Sequence, residues 1–301
     1  MVRVGFGVRG VGEALPKDRP IQDPVTARAF CVRDGQSCCI WAVLDFLDFC
    51  PLFVDTVRRA IHSATGVAED HVHVLTTHNH SVPSVGRLDL EVLAEGAVGA
   101  AVEAQDSART AAIRFATTTP ARRLNYERRL FVPELGGCVT FWYGVVEEEA
   151  FSAERHIRQV VRALVTDRRI VYLDSGYGER VPEEAFIDER VRRDPRCYDM
   201  PPADERVQVV VLEDEHGEGM GSLVRYSVHV HACKSGMFYS SDFPHHVRAG
   251  LEAAFGGHAI YLSGPCANIS PATRLDVPGD EKIFGRVLAD AAIARVRSVA
   301  P

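Results

Sequence analysis

Two strand-helix-strand runs, one toward each end, constrain most what this chain can fold into. In the first, CCIWAVLDFLDF (38–49) is an unbroken apolar run ending in acids, and FVDTVRRAIHSATG (53–66) carries Val54, Val57 and Ile61 at helical spacing before a glycine stop. HVHVLTTHNHSVPS (71–84) then follows, rich in β-branched residues and closed by Pro83. Two apolar strands flanking a helix within about 40 residues are the pattern of a parallel βαβ unit. The same grammar returns late in the chain. SLVRYSVHVHAC (222–233) reads as a strand, FPHHVRAGLEAAFGG (243–257) as a helix stopped by glycines, HAIYLSG (258–264) as a strand, and GPCANISPATR (264–274) as a polar, proline-marked loop. The recurrence suggests a weak internal duplication. In both units histidines or small polar residues crowd the carboxyl end of an apolar strand, where α/β sheets build sites.

The remaining segments are arranged around these units. An Ala-rich helix is predicted over about 88 to 110, a short strand over AAIRFA (111–116), and an amphipathic helix over DEKIFGRVLADAAIARVRSV (280–299). Residues 132–203, heavy in charge and proline, read as an insertion, part helix and part irregular loop. With 301 residues, 46% of them hydrophobic, the expectation is one α/β domain spanning 1–301, built of mixed β-sheets with outer helices, the 132–203 segment lying over its mouth as a lid.

Charge and composition exclude several roles. A formal net charge of -7 gives no positive field to hold nucleic acid. No stretch approaches the roughly 20 apolar residues of a membrane span, and the opening MVRVGFGVRGVGEALPKDRP has neither a basic leader nor an apolar signal core, so a cytoplasmic location is expected. The eight cysteines form no CxxC pair or zinc-knuckle spacing, and are expected to stay reduced.

Two H-x-H pairs carry the chemistry. His78 and His80 are two apart, and in an extended strand such residues face one side. His229 and His231 repeat the spacing, and together the four make a ligand set for zinc or iron, with water completing a catalytic site. A third pair, His71 and His73, sits at the start of its strand and reads as structural. Ser270 follows a strand in a turn between Asn268 and Pro271. It is a candidate nucleophile, with Asn268 or loop amides stabilising an oxyanion, or else a turn residue. Asp45 closes a strand and either orients a ligand histidine or caps the next helix. Asp242, near a strand end, either supports the site or its substrate or fits a helix N-cap. Arg274 binds an anionic substrate group or faces solvent.

Several strings together resemble the N-terminal catalytic region of the neutral, non-lysosomal ceramidase family: QDPVTARAFCVRDG, AVLDF, TTHNHSVPS, SVHVHACKSGMFYSSDFPHHV and LSGPCANISPATR, in matching order. The resemblance covers about residues 1–130 and 203–300. It implies a ceramidase-like fold and a zinc-dependent amidase in which His78 and His229 bind Zn2+, His80 lies beside the reacting centre, and Ser270 is the catalytic serine. The family's glutamate and tyrosine ligands come from a region beyond the serine loop and have no counterpart here. His80, His231, a carboxylate of the insertion, another subunit or water are candidates to replace them. The family's Asn-Arg pair becomes Asn125-Tyr126, near Arg128 and Arg129. Its serine-loop Asp becomes Asn268, and a Gly becomes Val82, narrowing the pocket mouth. The function implied is hydrolysis of an amide, or an ester, in a small or acylated metabolite rather than a sphingolipid. Acyl transfer or cyclisation at the same site is an alternative, as is a shortened, non-catalytic relative that binds metal or a partner. A homodimer is expected, because the shortened sheet edges need cover.

Overall fold

The computed structural model describes residues 2–35, 37–122, 124–127, 129–132, 137–140, 203–233, 236–271 and 279–299. The first half runs β1 (Val2–Gly10), β2 (Thr26–Asp34), β3 (Ser37–Leu44), α1 (Pro51–Thr65), β4 (Val72–Thr76), α2 (Leu90–Asp106) and the short β5 (Arg109–Thr110). These strands form one sheet in the order β4-β3-β2-β1-β5. Strands β3 and β4 are parallel, so β3-α1-β4 is the first expected βαβ unit. Pro51 opens α1, where its missing N–H is no loss, and Gly66 closes it at φ 71°, a left-handed cap that suits a residue without Cβ.

The second half repeats the plan with β6 (Ala112–Thr118), β7 (Asn125–Glu127), β8 (Arg129–Val132), β9 (Gly137–Thr140), β10 (Val207–Glu213), β11 (Gly219–Tyr226), α3 (Phe243–Phe255), β12 (His258–Ser263), β13 (Ile269–Pro271) and α4 (Asp280–Ser298). Its sheet reads β12-β11-β10-β6, with β11 and β12 parallel and the other pairs antiparallel. The order, directions and helix placement match β4-β3-β2-β1 with α1 and α2, in line with the duplication expected from sequence.

Three apolar clusters explain the layering. One joins α1 and α2 to the first sheet through Ile40, Val57, Ile61 and Leu93. A second joins α3 and α4 to the other sheet through Val209, Val224, Leu251 and Leu288. A third, with Phe6, Phe30, Val43, Leu212 and Ile260, lies between the two sheets. Each sheet is thus buried on both faces, which is why its strands read as near-continuous apolar runs. The architecture is a helix-sheet-sheet-helix sandwich, the mixed α/β fold expected. Close seating of α2 needs Gly5 and Gly7 of β1: a Cβ there would stand 2.0 and 2.1 Å from the carbonyl oxygens of Ala104 and Ala100.

Three expectations about local structure are corrected. The strand predicted over 222–233 stops at Tyr226, and the one over 71–84 stops at Thr76, so both H-x-H pairs lie in the loops that follow strands. The loop 264–274 contains β13, which pairs with β7, setting Ser270 against Tyr126. Of the insertion, β9 pairs antiparallel with β8, which begins before it, and residues 133–136 and 141–202, with the lid expectation, lie outside the described residues. Among the described residues no helix is long and apolar enough to cross a membrane.

Candidate metal centre

The two H-x-H triplets are brought side by side by a bridge between their middle residues. Asn79 pairs with Val230, and the His80 N–H donates to the Val230 carbonyl at 2.9 Å. Asn79 is buried and holds the first triplet: its amide donates to the carbonyls of Ser240 (2.7 Å) and Asp45 (3.2 Å) and accepts from the Ser81 N–H (2.9 Å). The Ser81 hydroxyl donates to the Cys233 carbonyl, tying the two loops together again. All four histidines meet as a result. Ring centroids lie 4.5 Å apart for His78 and His229, 5.0 Å for His78 and His80, 5.2 Å for His229 and His231, and 5.7 Å for His80 and His231.

Convergence arises differently from strand alternation. His78 has φ 62°, a left-handed conformation uncommon for a residue with a Cβ, which turns its ring inward. Its Nδ1 lies 3.1 Å from the Leu47 carbonyl, and His229 Nδ1 lies 2.8 Å from the Cys266 carbonyl. A carbonyl only accepts, so each Nδ1 carries the proton and each Nε2 presents a lone pair. Those two Nε2 atoms face one another at 3.1 Å. Two Nε2 atoms at that distance share a proton or flank a metal ion, and two bonds of 2.0–2.1 Å at a tetrahedral angle span about 3.3 Å. The Cys266 thiol completes a group with His78 and His229 whose ligand atoms all lie within 4.8 Å of one another. The residues therefore fit a divalent metal with two imidazoles and one thiolate. Cys266 was missed in the sequence, where it sits alone between Pro265 and Ala267; its place on a loop after an apolar strand was the available signal.

The remaining candidates are placed as follows. Ser270 is fully buried in β13, one residue beyond Ile269, whose carbonyl accepts the His229 N–H at 3.0 Å. Its hydroxyl has no hydrogen-bond partner among the described residues, so it is a buried strand residue rather than an exposed turn. The Asn268 amide donates to Glu127. Among the described residues the Asp45 carboxylate hydrogen-bonds to no histidine and caps no helix. It pairs with Arg248 at 2.6 and 2.9 Å and accepts from the Thr26 N–H, the Thr26 hydroxyl and the Ser241 hydroxyl. Asp242 caps α3 through the Phe243 N–H (2.6 Å) and also accepts from Cys233 N–H (2.7 Å) and the Ser81 hydroxyl (3.1 Å), so it braces both histidine loops. Burial pushes its carboxyl up to about 6. Asn125 is buried and donates to the carbonyls of Asp204 and Ser227, and Tyr126 is buried beside it. Arg128 and Arg274 lie outside the described residues, as does the side chain of Arg129. His71 and His73 are exposed and far from the centre in the chain's plan, on the far end of β4.

A cavity of about 260 Å³ opens beside His80, lined by Ser81, Val82, Phe238, Tyr239, Arg19 and Arg87. Arg87 is paired with Asp18 at 2.7 Å, and the Arg19 guanidinium stands over the Tyr239 ring at 5.7 Å.

No family model and no curated protein sequence matches the chain. Among the solved structures that share its fold are two ceramidases. The neutral ceramidase from Pseudomonas aeruginosa superposes with a TM-score of 0.64 at 14% identity, covering 99% of this chain and 45% of that one. A ceramidase complexed with C2 gives 0.65 at 13% identity, covering 99% and 44%. The chain thus has a ceramidase-like fold and spans less than half the length of the ceramidases it superposes on.

Proposed function

We propose that the chain is a zinc-dependent hydrolase that cleaves an amide (N-acyl) or ester bond in a small acylated metabolite. The observation that carries this reading is the convergence of His78 Nε2 and His229 Nε2 at 3.1 Å, each ring locked by a carbonyl on its other nitrogen. His78, His229 and Cys266 would hold the ion, which when bound would polarise the scissile carbonyl or lower the pKa of an attacking hydroxyl. Ser270 is the nucleophile: a buried hydroxyl without a partner costs about 1–3 kcal/mol, a cost that chemistry explains better than folding does. His80 is exposed at the cavity and adjoins the other imidazoles, a position suited to passing a proton between the centre and solvent. His231 lies behind it, and Asn268, engaged with Glu127, positions the serine loop rather than an oxyanion.

The substrate reading rests on the cavity. At about 260 Å³ it adjoins the centre through His80 and is in keeping with a small substituent of the substrate. Val82 narrows it, and Arg19 supplies a cation for an anionic substituent.

Metal content by mass spectrometry, on protein purified without chelator or affinity metal, tests the centre. Zinc is expected in the wild type, with one equivalent lost in both His78→Ala and His229→Ala. Ser270→Ala should keep that zinc and lose turnover on an N-acyl panel. Wild-type protein with no zinc at this centre would overturn the reading.

A further inference from the structure

We infer that Asp23, His245 and His246 form a second binding site for a divalent transition-metal ion, distinct from the His78–His229 centre. Asp23 lies on the connection between β1 and β2, and the two histidines occupy the first turn of α3. Asp23 is buried, and its two oxygens are used differently. Oδ2 accepts from the Ser240 hydroxyl at 2.6 Å and the Gln22 amide at 3.4 Å. Oδ1 faces the two rings, 3.8 Å from His245 Nε2 and 3.9 Å from His246 Nε2. Hydrogen bonds would close to about 3 Å. Two nearly equal gaps close to 4 Å, converging on one oxygen, instead leave room for an atom between them.

Zinc-type bonds of 2.0–2.2 Å to imidazole nitrogen and carboxylate oxygen, at angles of about 110–130°, span roughly 3.4–3.8 Å. Closing the observed gaps to that range needs shifts of only a few tenths of an ångström. The three ligand atoms lie within 4.8 Å of one another. A second, independent observation is that His246 Nε2 is sealed from solvent and makes no hydrogen bond among the described residues. That nitrogen is aimed at the same oxygen.

Charge argues in the same direction. Glu281, buried at the start of α4, is joined to Asp23 through the Gln22 amide, which donates to both carboxylates. The buried guanidinium nearest these groups, Arg248, is committed to Asp45 at 2.6 and 2.9 Å, and Lys282 is exposed. Two buried carboxylates linked through Gln22 would offset the charge of a bound dication. Two nitrogens and an oxygen suit zinc, cobalt or nickel better than calcium or magnesium. The ion would fasten the β1–β2 connection to α3, with α4 joined through Gln22.

The test uses the full chain, stripped of metal, checked for fold by circular dichroism and titrated with Zn2+ and, separately, Co2+. Two ions per chain are expected for the wild type. One should be lost in His245→Gln/His246→Gln and a different one in His78→Ala/His229→Ala. In the latter background, zinc should raise the melting temperature, and adding His245→Gln/His246→Gln should abolish that rise. Should the double variant fail to fold, the near-isosteric Asp23→Asn should weaken the second equivalent by at least about 100-fold, the upper end of what loss of an outer partner costs. Unchanged stoichiometry and affinity in both Asp23→Asn and the histidine variant would overturn the site. Loss of the His78–His229 ion alone would instead bear on the proposed hydrolase and leave this inference standing.

Discussion

Replacing Asp45 by Asn tests the polar core that supports the metal centre. Asp45 and Arg248 are each 1% exposed and share a two-bond ion pair, and Asp45 also accepts from Thr26 and Ser241. Asn removes the charge, leaves the Arg248 guanidinium buried without its counter-ion, and turns an N–H donor toward groups that are themselves donors. Breaking one side of such a pair costs about 3–5 kcal/mol. With an unfolding entropy of about 2.1 cal/mol/K per residue, a chain of 301 residues loses roughly 5–8 °C in melting temperature. Guanidinium unfolding followed by circular dichroism, together with calorimetry, measures both numbers. The pH dependence adds a second check. Burial alone would raise the Asp45 carboxyl, but the charge and hydrogen bonds of Arg248, with Thr26, outweigh it and hold the group below its ordinary range. Its contribution is therefore complete above the unfolded value of about 3.9 and is lost as the pH falls through the folded value. The gap between wild type and variant should narrow in acid. Asn79 takes the Asp45 backbone carbonyl and not the carboxylate, so zinc content should survive in folded variant. A variant within about 1 kcal/mol of wild type at neutral pH would refute the reasoning.

Three further outcomes are expected. Cys266→Ser should abolish the thiolate-to-cobalt charge-transfer absorption of the Co2+-loaded protein while both histidines remain; an unchanged spectrum would remove Cys266 from the ligand set. Asp242, pushed up to about 6 by burial, holds its proton in the folded state where the unfolded chain has released it, so stability should fall by up to about 3 kcal/mol as the pH rises from about 4 through 6. In Asp242→Asn that stretch of the unfolding profile should flatten, and an equally steep profile would count against the buried carboxyl. Gly7→Ala should cost about 1–3 kcal/mol in chemical unfolding, since its methyl would meet the Ala100 carbonyl at 2.1 Å; a neutral result would mean that α2 can lift off β1 freely.

The duplication explains which parts of the site could be read in the residues and which could not. Periodicity exposes a βαβ unit because both faces of each strand are buried, so the run 38–49 and the helix at 53–66 announced themselves, as did their counterparts at 222–233, where the strand proper ends at Tyr226, and 243–257. The carboxyl ends of β3–β4 and β11–β12 then had to carry the histidines. What periodicity could not supply is the geometry past each strand end. His78 and His80 share a side because His78 turns left-handed and Asn79 bridges Val230, a contact about 150 residues away in sequence. The same long-range logic hid Cys266, which no spacing links to His78 or His229 and which joins them only when β12 returns beside β11. It hid the pairing of Asp23 with His245 and His246 as well, since the isolated bridge from Ile21 to Tyr239 is what lays the β1–β2 connection against the start of α3. Strand β1, VRVGFGVRG, was not singled out in the sequence, and its glycines find their reason only where Ala100 and Ala104 occupy the space they leave. In this fold a left-handed histidine, a cysteine that no spacing marks and glycines within a strand are the positions at which one half of the duplicated plan is fitted to the other or to its own helix.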